Sequence, residues 1–161
     1  MPIPAINEPV ADFTLQNQDD KTVHLSDYKS TPVVLFFYPR ADTPGCTIES
    51  CGFRDAFTKF KKAGITVFGI SRDTVKDQKK FKDKYDLPYD LLADPEMELI
   101  NRFDLIQPKN MYGKLVKGVK RTTLLIAPAD DKGKQRLLHV FENVKPEGHA
   151  EEVLTLLKEK K

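Results

Sequence analysis

The sequence predicts an α/β fold: a central mixed β-sheet flanked by helices, entered through an N-terminal β-hairpin. Three observations carry this. Two short apolar runs, Val33-Val34-Leu35-Phe36-Phe37 and Ile65-Thr66-Val67-Phe68-Gly69-Ile70, have the length and composition of buried strands, and each is followed by a helical stretch. A later apolar run, Lys120 to Ala127, faces Arg136 to Phe141 across the polar turn Asp130-Asp131-Lys132-Gly133, which reads as a hairpin. Two βα units, a hairpin and a closing helix can share one sheet only if it contains both parallel and antiparallel neighbours.

The elements follow in order. Val10 to Leu15 and Thr22 to Leu25 flank the polar Gln16 to Lys21 and predict the N-terminal hairpin. After the Val33 strand, Phe53, Phe57 and Phe60 recur at helical spacing, and Gly64 ends that helix. A polar helix is expected from Val75 to Tyr85 and another from Pro95 to Phe103, separated by the apolar Leu91-Leu92 segment. Glu147 to Lys158 is amphipathic through Val153, Leu154 and Leu157. No repeat, linker or shift of composition divides the chain, so residues 1–161 are expected to form a single domain.

Composition narrows the function classes. The 26 basic and 24 acidic residues leave a net charge of +2 and are interleaved, as in Lys76-Asp77-Gln78-Lys79-Lys80, which describes a solvated helix face. A nucleic-acid surface is not expected. Apolar runs fall far short of the ~20 residues that span a bilayer, and no apolar segment follows a basic start. A soluble cytoplasmic protein is therefore expected. In that reducing setting a cysteine pair points to catalysis, redox chemistry or metal binding more than to a structural bridge.

That pair, Cys46 and Cys51, lies just after the Val33 strand. Thr43 suits the N-cap and Pro44 the first helical position, which places Gly45 and Cys46 in the first turn of a helix. Unpartnered N–H groups and the positive end of the helix dipole favour a thiolate there. Lowering a thiol's pKa from about 8.5 to about 6 raises its thiolate fraction at neutral pH roughly thirtyfold. The same shift costs roughly tenfold in intrinsic nucleophilicity, so the net gain is only a few fold. A fast reaction therefore also needs donors that stabilise the departing atom.

Helix geometry puts the Cα atoms of residues 46 and 51 roughly 8.6 Å apart, beyond the ~7 Å limit for a disulfide. If the thiols bond, this turn has to unwind. A bridge across so short a loop would supply only about 2 kcal/mol by the chain-entropy model, set against lost helical hydrogen bonds. A bond that forms and breaks during turnover fits better. His24, His139 and His149 are scattered and show no ligand spacing with the cysteines, which argues against a metal site.

The run Pro39-Arg40-Ala41-Asp42-Thr43-Pro44-Gly45-Cys46 matches the peroxiredoxin signature of Pro, three residues, Thr, two residues, Cys. Its continuation through Cys51-Gly52-Phe53-Arg54-Asp55 resembles the peroxiredoxin Q, or bacterioferritin comigratory protein, subfamily. Leu91-Leu92-Ala93-Asp94, Lys109 to Lys114 and Gly118 to Thr123 extend the resemblance over nearly the whole chain. The resemblance implies a thioredoxin-like fold and an atypical two-cysteine peroxidase acting on hydrogen peroxide and organic hydroperoxides. Cys46 would be the peroxidatic cysteine and Cys51 the resolving one.

By the same resemblance Pro39 shields the pocket, Thr43 hydrogen-bonds the peroxide, Arg121 holds thiolate and substrate oxygens, and Glu49 tunes protonation near Cys46. The dipole alone would also explain an exposed first-turn glutamate at position 49. Thioredoxin, with glutaredoxin as the alternative, is the implied reductant. No metal or organic cofactor is implied, and a monomer is expected. The chain departs from the subfamily in having Ala127-Pro128 after Ile126, where an Asp is common, and in lacking Trp. Two other readings remain open at this level. One is a general dithiol-disulfide reductase, disfavoured by the four-residue spacer and by Thr122 where thioredoxins carry proline. The other is a non-catalytic thioredoxin-fold partner-binding protein whose thiols are passengers or sensors.

Overall fold

A computed structural model describes residues 3–111 and 113–159. Its elements in chain order are β1 (Thr14–Asn17), β2 (Thr22–His24), a 3₁₀ turn (Leu25–Tyr28), β3 (Val33–Phe37), α1 (Pro44–Lys62), β4 (Thr66–Ser71), α2 (Val75–Tyr85) and β5 (Asp90–Ala93). There follow α3 (Glu98–Arg102), β6 (Ile106–Met111), β7 (Lys114–Val119), β8 (Thr122–Ile126), β9 (Leu137–Phe141) and α4 (His149–Glu159). Seven strands form one mixed sheet in the order β2-β1-β5-β4-β3-β8-β9. The β3–β4 and β4–β5 pairs are parallel, and the β1–β5, β3–β8 and β8–β9 pairs are antiparallel. This is the mixed α/β sheet that the element order predicts.

β3 lies inside the sheet between β4 and β8 and is buried along its whole length, which explains its unbroken apolar run. Alternate side chains feed two cores. Val33, Leu35 and Phe37 join Phe68, Ile70, Leu92, Leu124 and Ile126, with α3 supplying Leu99 and Ile100. Val34 and Phe36 join Phe53, Phe60, Phe81, Val153 and Leu157 from α1, α2 and α4, and Cys46 belongs to this second core. A Cβ at residue 69 would lie 2.8 Å from the Phe36 ring and 2.9 Å from Leu91, so glycine in β4 makes room for that ring.

Some boundaries differ from the sequence reading. The first strand begins at Thr14 rather than Val10, because residues 7–10 run along the opposite edge of the sheet. There Asn7 and Val10 donate to the carbonyls of Leu137 and Gln135 at 2.8 Å, while Val10 and Phe13 still fill the core. The expected helix from Pro95 shortens to Glu98–Arg102, because Asp94 accepts from the N–H groups of Glu98 and Ile100, both at 2.9 Å, and Met97 turns left-handed. The C-terminal helix starts at His149, two residues late.

The antiparallel β6–β7 ribbon was not expected. It lies outside the main sheet, so its residues carry no period-two apolar pattern, and Pro108 argues against a strand. Tyr112, part of the quoted Lys109 to Lys114 segment, lies outside the described residues.

Candidate active site

The site forms where β3 ends and α1 begins. Because β3 and β8 are antiparallel with Phe37 opposite Thr122, the register carries Arg121, immediately before β8, to the level of Tyr38, immediately after β3. Arg121 therefore reaches the helix that follows β3 although it is 75 residues from Cys46.

Several hydrogen bonds hold the intervening loop. Tyr38 donates its N–H to the Ile70 carbonyl at 3.0 Å. The Tyr38 hydroxyl donates to Gln78 Oε1 at 2.6 Å, and Gln78 Nε2 donates to the Leu92 carbonyl at 2.8 Å, which ties the loop to α2 and β5. Asp73 accepts from the Ala41 N–H at 2.7 Å and from the Ser71 hydroxyl at 2.6 Å. Asp42 takes a left-handed backbone (φ 59°), and its carboxylate accepts from Lys84 Nζ at 2.8 Å and the Tyr85 hydroxyl at 2.7 Å. Half-buried Pro39 opens the loop.

Thr43 occupies the N-cap with extended backbone and Pro44 the first helical position, both as the sequence suggests. The Thr43 side chain departs from that expectation: its hydroxyl donates back to the Arg40 carbonyl at 2.9 Å and does not cap the helix. This leaves the Thr43 oxygen lone pairs free to accept from a ligand O–H. No side chain caps α1, so the first-turn N–H groups of Gly45 and Cys46 are not taken by one.

Cys46 is fully buried. One guanidinium links it to Glu49: Arg121 Nη2 donates to Cys46 Sγ at 3.4 Å, and Nη1 donates to Glu49 Oε1 at 2.8 Å. The planar fork of Arg suits this double contact. Glu49 is not the exposed dipole partner that position alone would allow. Its side chain is 0% exposed, and burial pushes its carboxyl up to about 7 while Arg121 pulls the other way.

Gly45 is a residue whose role the sequence reading missed. A Cβ there would lie 3.0 Å from Arg121 Nη2 and 3.4 Å from Pro146, so glycine lets the guanidinium approach the first turn. Its signal in the sequence was a poor helix former just inside a helix start.

Cys51 is half-buried, and both cysteines are free thiols within α1. Partial burial raises the Cys51 thiol above its ordinary value, with Arg54 opposing. Wound as it is, α1 holds the two residues at the helical separation that forbids a bond. Among the described residues no group of three or more His, Cys, Asp or Glu is arranged to hold a metal ion, and no helix is long and apolar enough to cross a membrane. His149 is buried, pairing with Thr123 at 2.8 Å and with Glu152 at 3.0 Å.

A buried thiol at the start of a helix, faced by an arginine from a neighbouring strand of a thioredoxin-like sheet, defines the peroxiredoxin class. Residues 6–132 match the AhpC/TSA family. The chain is 44% identical over 142 residues to a putative peroxiredoxin bcp of Coxiella burnetii, covering 88% of this chain and 91% of that one. It is 40% identical over 154 residues to peroxiredoxin Bcp of Bacillus subtilis, covering 96% and 95%. Among solved structures, a cysteine-to-serine mutant of Xylella fastidiosa PrxQ superposes with a TM-score of 0.88 at 34% identity, covering 97% and 96%. The bacterioferritin comigratory protein of Xanthomonas campestris, solved as trapped intermediate and ligand complexes that bear on its alkyl peroxide reduction, superposes at 0.83 with 34% identity, covering 92% and 91%. The chain belongs to the AhpC/TSA family, in its peroxiredoxin Bcp/Q group, and is a thiol-dependent peroxidase.

Proposed function

We propose that the chain reduces hydrogen peroxide and alkyl hydroperoxides through Cys46, is resolved by Cys51, and is recycled by thioredoxin, with glutaredoxin as the alternative reductant. The observation that carries this reading is the Arg121 guanidinium, shared between Cys46 Sγ and Glu49. The Cys46 thiolate attacks the terminal peroxide oxygen. An S–O bond forms as the O–O bond breaks, and water or alcohol leaves after taking up a proton. Arg121 and the first-turn N–H groups stabilise the oxygen that departs. Thr43, whose own proton is committed to the Arg40 carbonyl, accepts from the peroxide O–H. Pro39 shields the pocket from water. Glu49 fixes the far edge of Arg121 and, with its carboxyl near 7, sets how much of the guanidinium charge faces the thiol.

Cys46 is then a sulfenic acid. The start of α1 unwinds, the Cys51 sulfur attacks the Cys46 sulfur, and water leaves as the disulfide forms. Unwinding also frees Cys51 from the burial that disfavours its thiolate. A dithiol reductant restores both thiols. Alkyl hydroperoxides enter the proposal through the alkyl peroxide reduction of the Xanthomonas campestris relative.

A single-domain monomer in the cytoplasm, needing no cofactor and binding neither nucleic acid nor membrane, completes the proposal. Among the described residues the exposed large hydrophobics are Ile6 and Ile48, too few for an obligate interface. Intact-mass measurement after one equivalent of peroxide tests the cycle. A loss of two hydrogens, reversed by thioredoxin, is expected; Cys51→Ser should instead stop at a gain of one oxygen. Full peroxide consumption by Cys46→Ser would overturn the site.

A further inference from the structure

We propose that Tyr89 is a positioning residue for the resolution step: its hydroxyl pins α1 beside Cys51 and sets how readily the cysteine-bearing turn unwinds. The inference rests on the reading of Cys51 as the resolving cysteine.

Tyr89 is buried in the link between α2 and β5, and its hydroxyl donates to the Ser50 carbonyl at 2.7 Å. Its own carbonyl accepts from Lys82 Nζ at 2.7 Å, and its ring packs edge-on against Phe36 at 5.7 Å. The donor is thus held from two sides by groups that do not belong to α1. Burial raises the phenol well above its ordinary range, so it remains a donor at any working pH.

The turn it holds is poorly satisfied while wound. Ser50 Oγ and Glu49 Oε2 are buried with no protein partner, and each would gain hydrogen bonds on reaching water. Unwinding is therefore favoured by two unmet polar atoms and opposed by the Tyr89–Ser50 and Arg121–Glu49 bonds. Peroxide attack needs the wound helix and does not involve Tyr89. Disulfide formation needs residues 46–51 to rearrange, which carries the Ser50 carbonyl away from the phenol. Removing the hydroxyl should change the second step and leave the first alone.

Rapid quenching with a thiol alkylating reagent, followed by intact-mass analysis, separates the two steps in the reduced protein after one equivalent of hydrogen peroxide. Tyr89→Phe should form sulfenic acid at the parent rate and convert it to disulfide about fivefold faster, the factor that corresponds to one neutral hydrogen bond. In excess peroxide its sulfinic acid fraction should fall correspondingly. Ser50→Ala, which removes an unmet hydroxyl and keeps the carbonyl, should slow conversion by at least about threefold. An unchanged or slower conversion in Tyr89→Phe, or an equal change in both steps, overturns the inference and leaves the Cys51 assignment standing. An unchanged or faster conversion in Ser50→Ala also overturns it, and covers the case in which Tyr89→Phe fails to fold. Failure of the parent protein to form any disulfide overturns both the inference and the resolution step beneath it.

Discussion

The two halves of α1 differ in what they bury. From Gly52 onward the helix buries Phe53, Ala56 and Phe60; Phe53 stacks on Phe36 at 4.4 Å and meets Phe60 at 5.7 Å. Its last turn carries Lys59, Lys61 and Lys62, which suit the dipole. The first turns bury Cys46, Glu49 and Ser50 instead, leave two polar atoms without protein partners, and have no acidic residue in the first turn and no side-chain cap. One helix thus combines an apolar anchor with a polar segment that leaves two buried polar atoms unsatisfied while wound. On the function proposed above, the first half carries the chemistry and the second keeps it in register with β3 and β8.

The largest effect should come from attacking the anchor. Phe53→Ala removes a fully buried ring and should cost about 3–5 kcal/mol in denaturant unfolding; a loss below about 1 kcal/mol would erase the distinction between the halves. Next comes the polar half. Arg121→Gln should slow sulfenic acid formation by about a hundredfold while changing unfolding far less than Phe53→Ala, and stopped-flow peroxide reaction checks it.

Gly45→Ala is a gentler probe of the same contact. A methyl group 3.0 Å from Arg121 Nη2 displaces the guanidinium from Cys46 without removing it. About a tenfold slower attack is expected, although alanine is the better helix former. An unaltered rate would mean that the close approach at Gly45 has no bearing on the chemistry.

The smallest effects are in pH dependence, where two buried groups near Arg121 oppose each other. Glu49 rises from 4.5 to about 7, so its contribution to stability is fully present below about 4.5 and is lost as pH rises through 7. Burial lowers His149 below 6.5, so its contribution is present above 6.5 and is lost as pH falls through its folded value. Between about pH 7.5 and about pH 5, Glu49→Gln should therefore lose Tm on acidification. His149→Gln should gain it, each by a few °C, with the parent between them. Glu49→Gln should also remove any inflection near 7 from the peroxide rate, because Arg121 then faces a neutral partner at every pH. Parallel Tm slopes in the two variants would show that the polar half does not titrate as described.

Much of the anchor was legible in the sequence, and less of the polar half. Phe53 and Phe60 announce themselves by spacing, and the α2 limits, Val75–Tyr85, coincide with those expected from its polar run. Thr43-Pro44 marks the helix start by local chemistry, but the direction of the Thr43 hydroxyl depended on where the Arg40 carbonyl came to lie. Glu49 could be read equally well as a surface charge, since nothing near it in sequence reveals a guanidinium 72 residues away. Arg121 was reached by resemblance alone, and Tyr89 by nothing, because its partner is a backbone carbonyl of α1, distant in sequence. The β6–β7 ribbon escaped because Pro108 interrupts it and its residues show no period-two apolar pattern.

Local sequence therefore determined the strand and helix types of the main sheet and its helices, the cysteine spacing and the demand that a wound helix keep Cys46 and Cys51 apart, since these follow from side-chain period and backbone geometry. Tertiary structure decided what surrounds the thiol. The antiparallel β3–β8 register brings Arg121 to Cys46, and folding buries Glu49 beside it. Burial, charge sharing and the grip of Tyr89 on α1 are properties of segments that meet only after folding, so the chemistry that depends on them had no local signature.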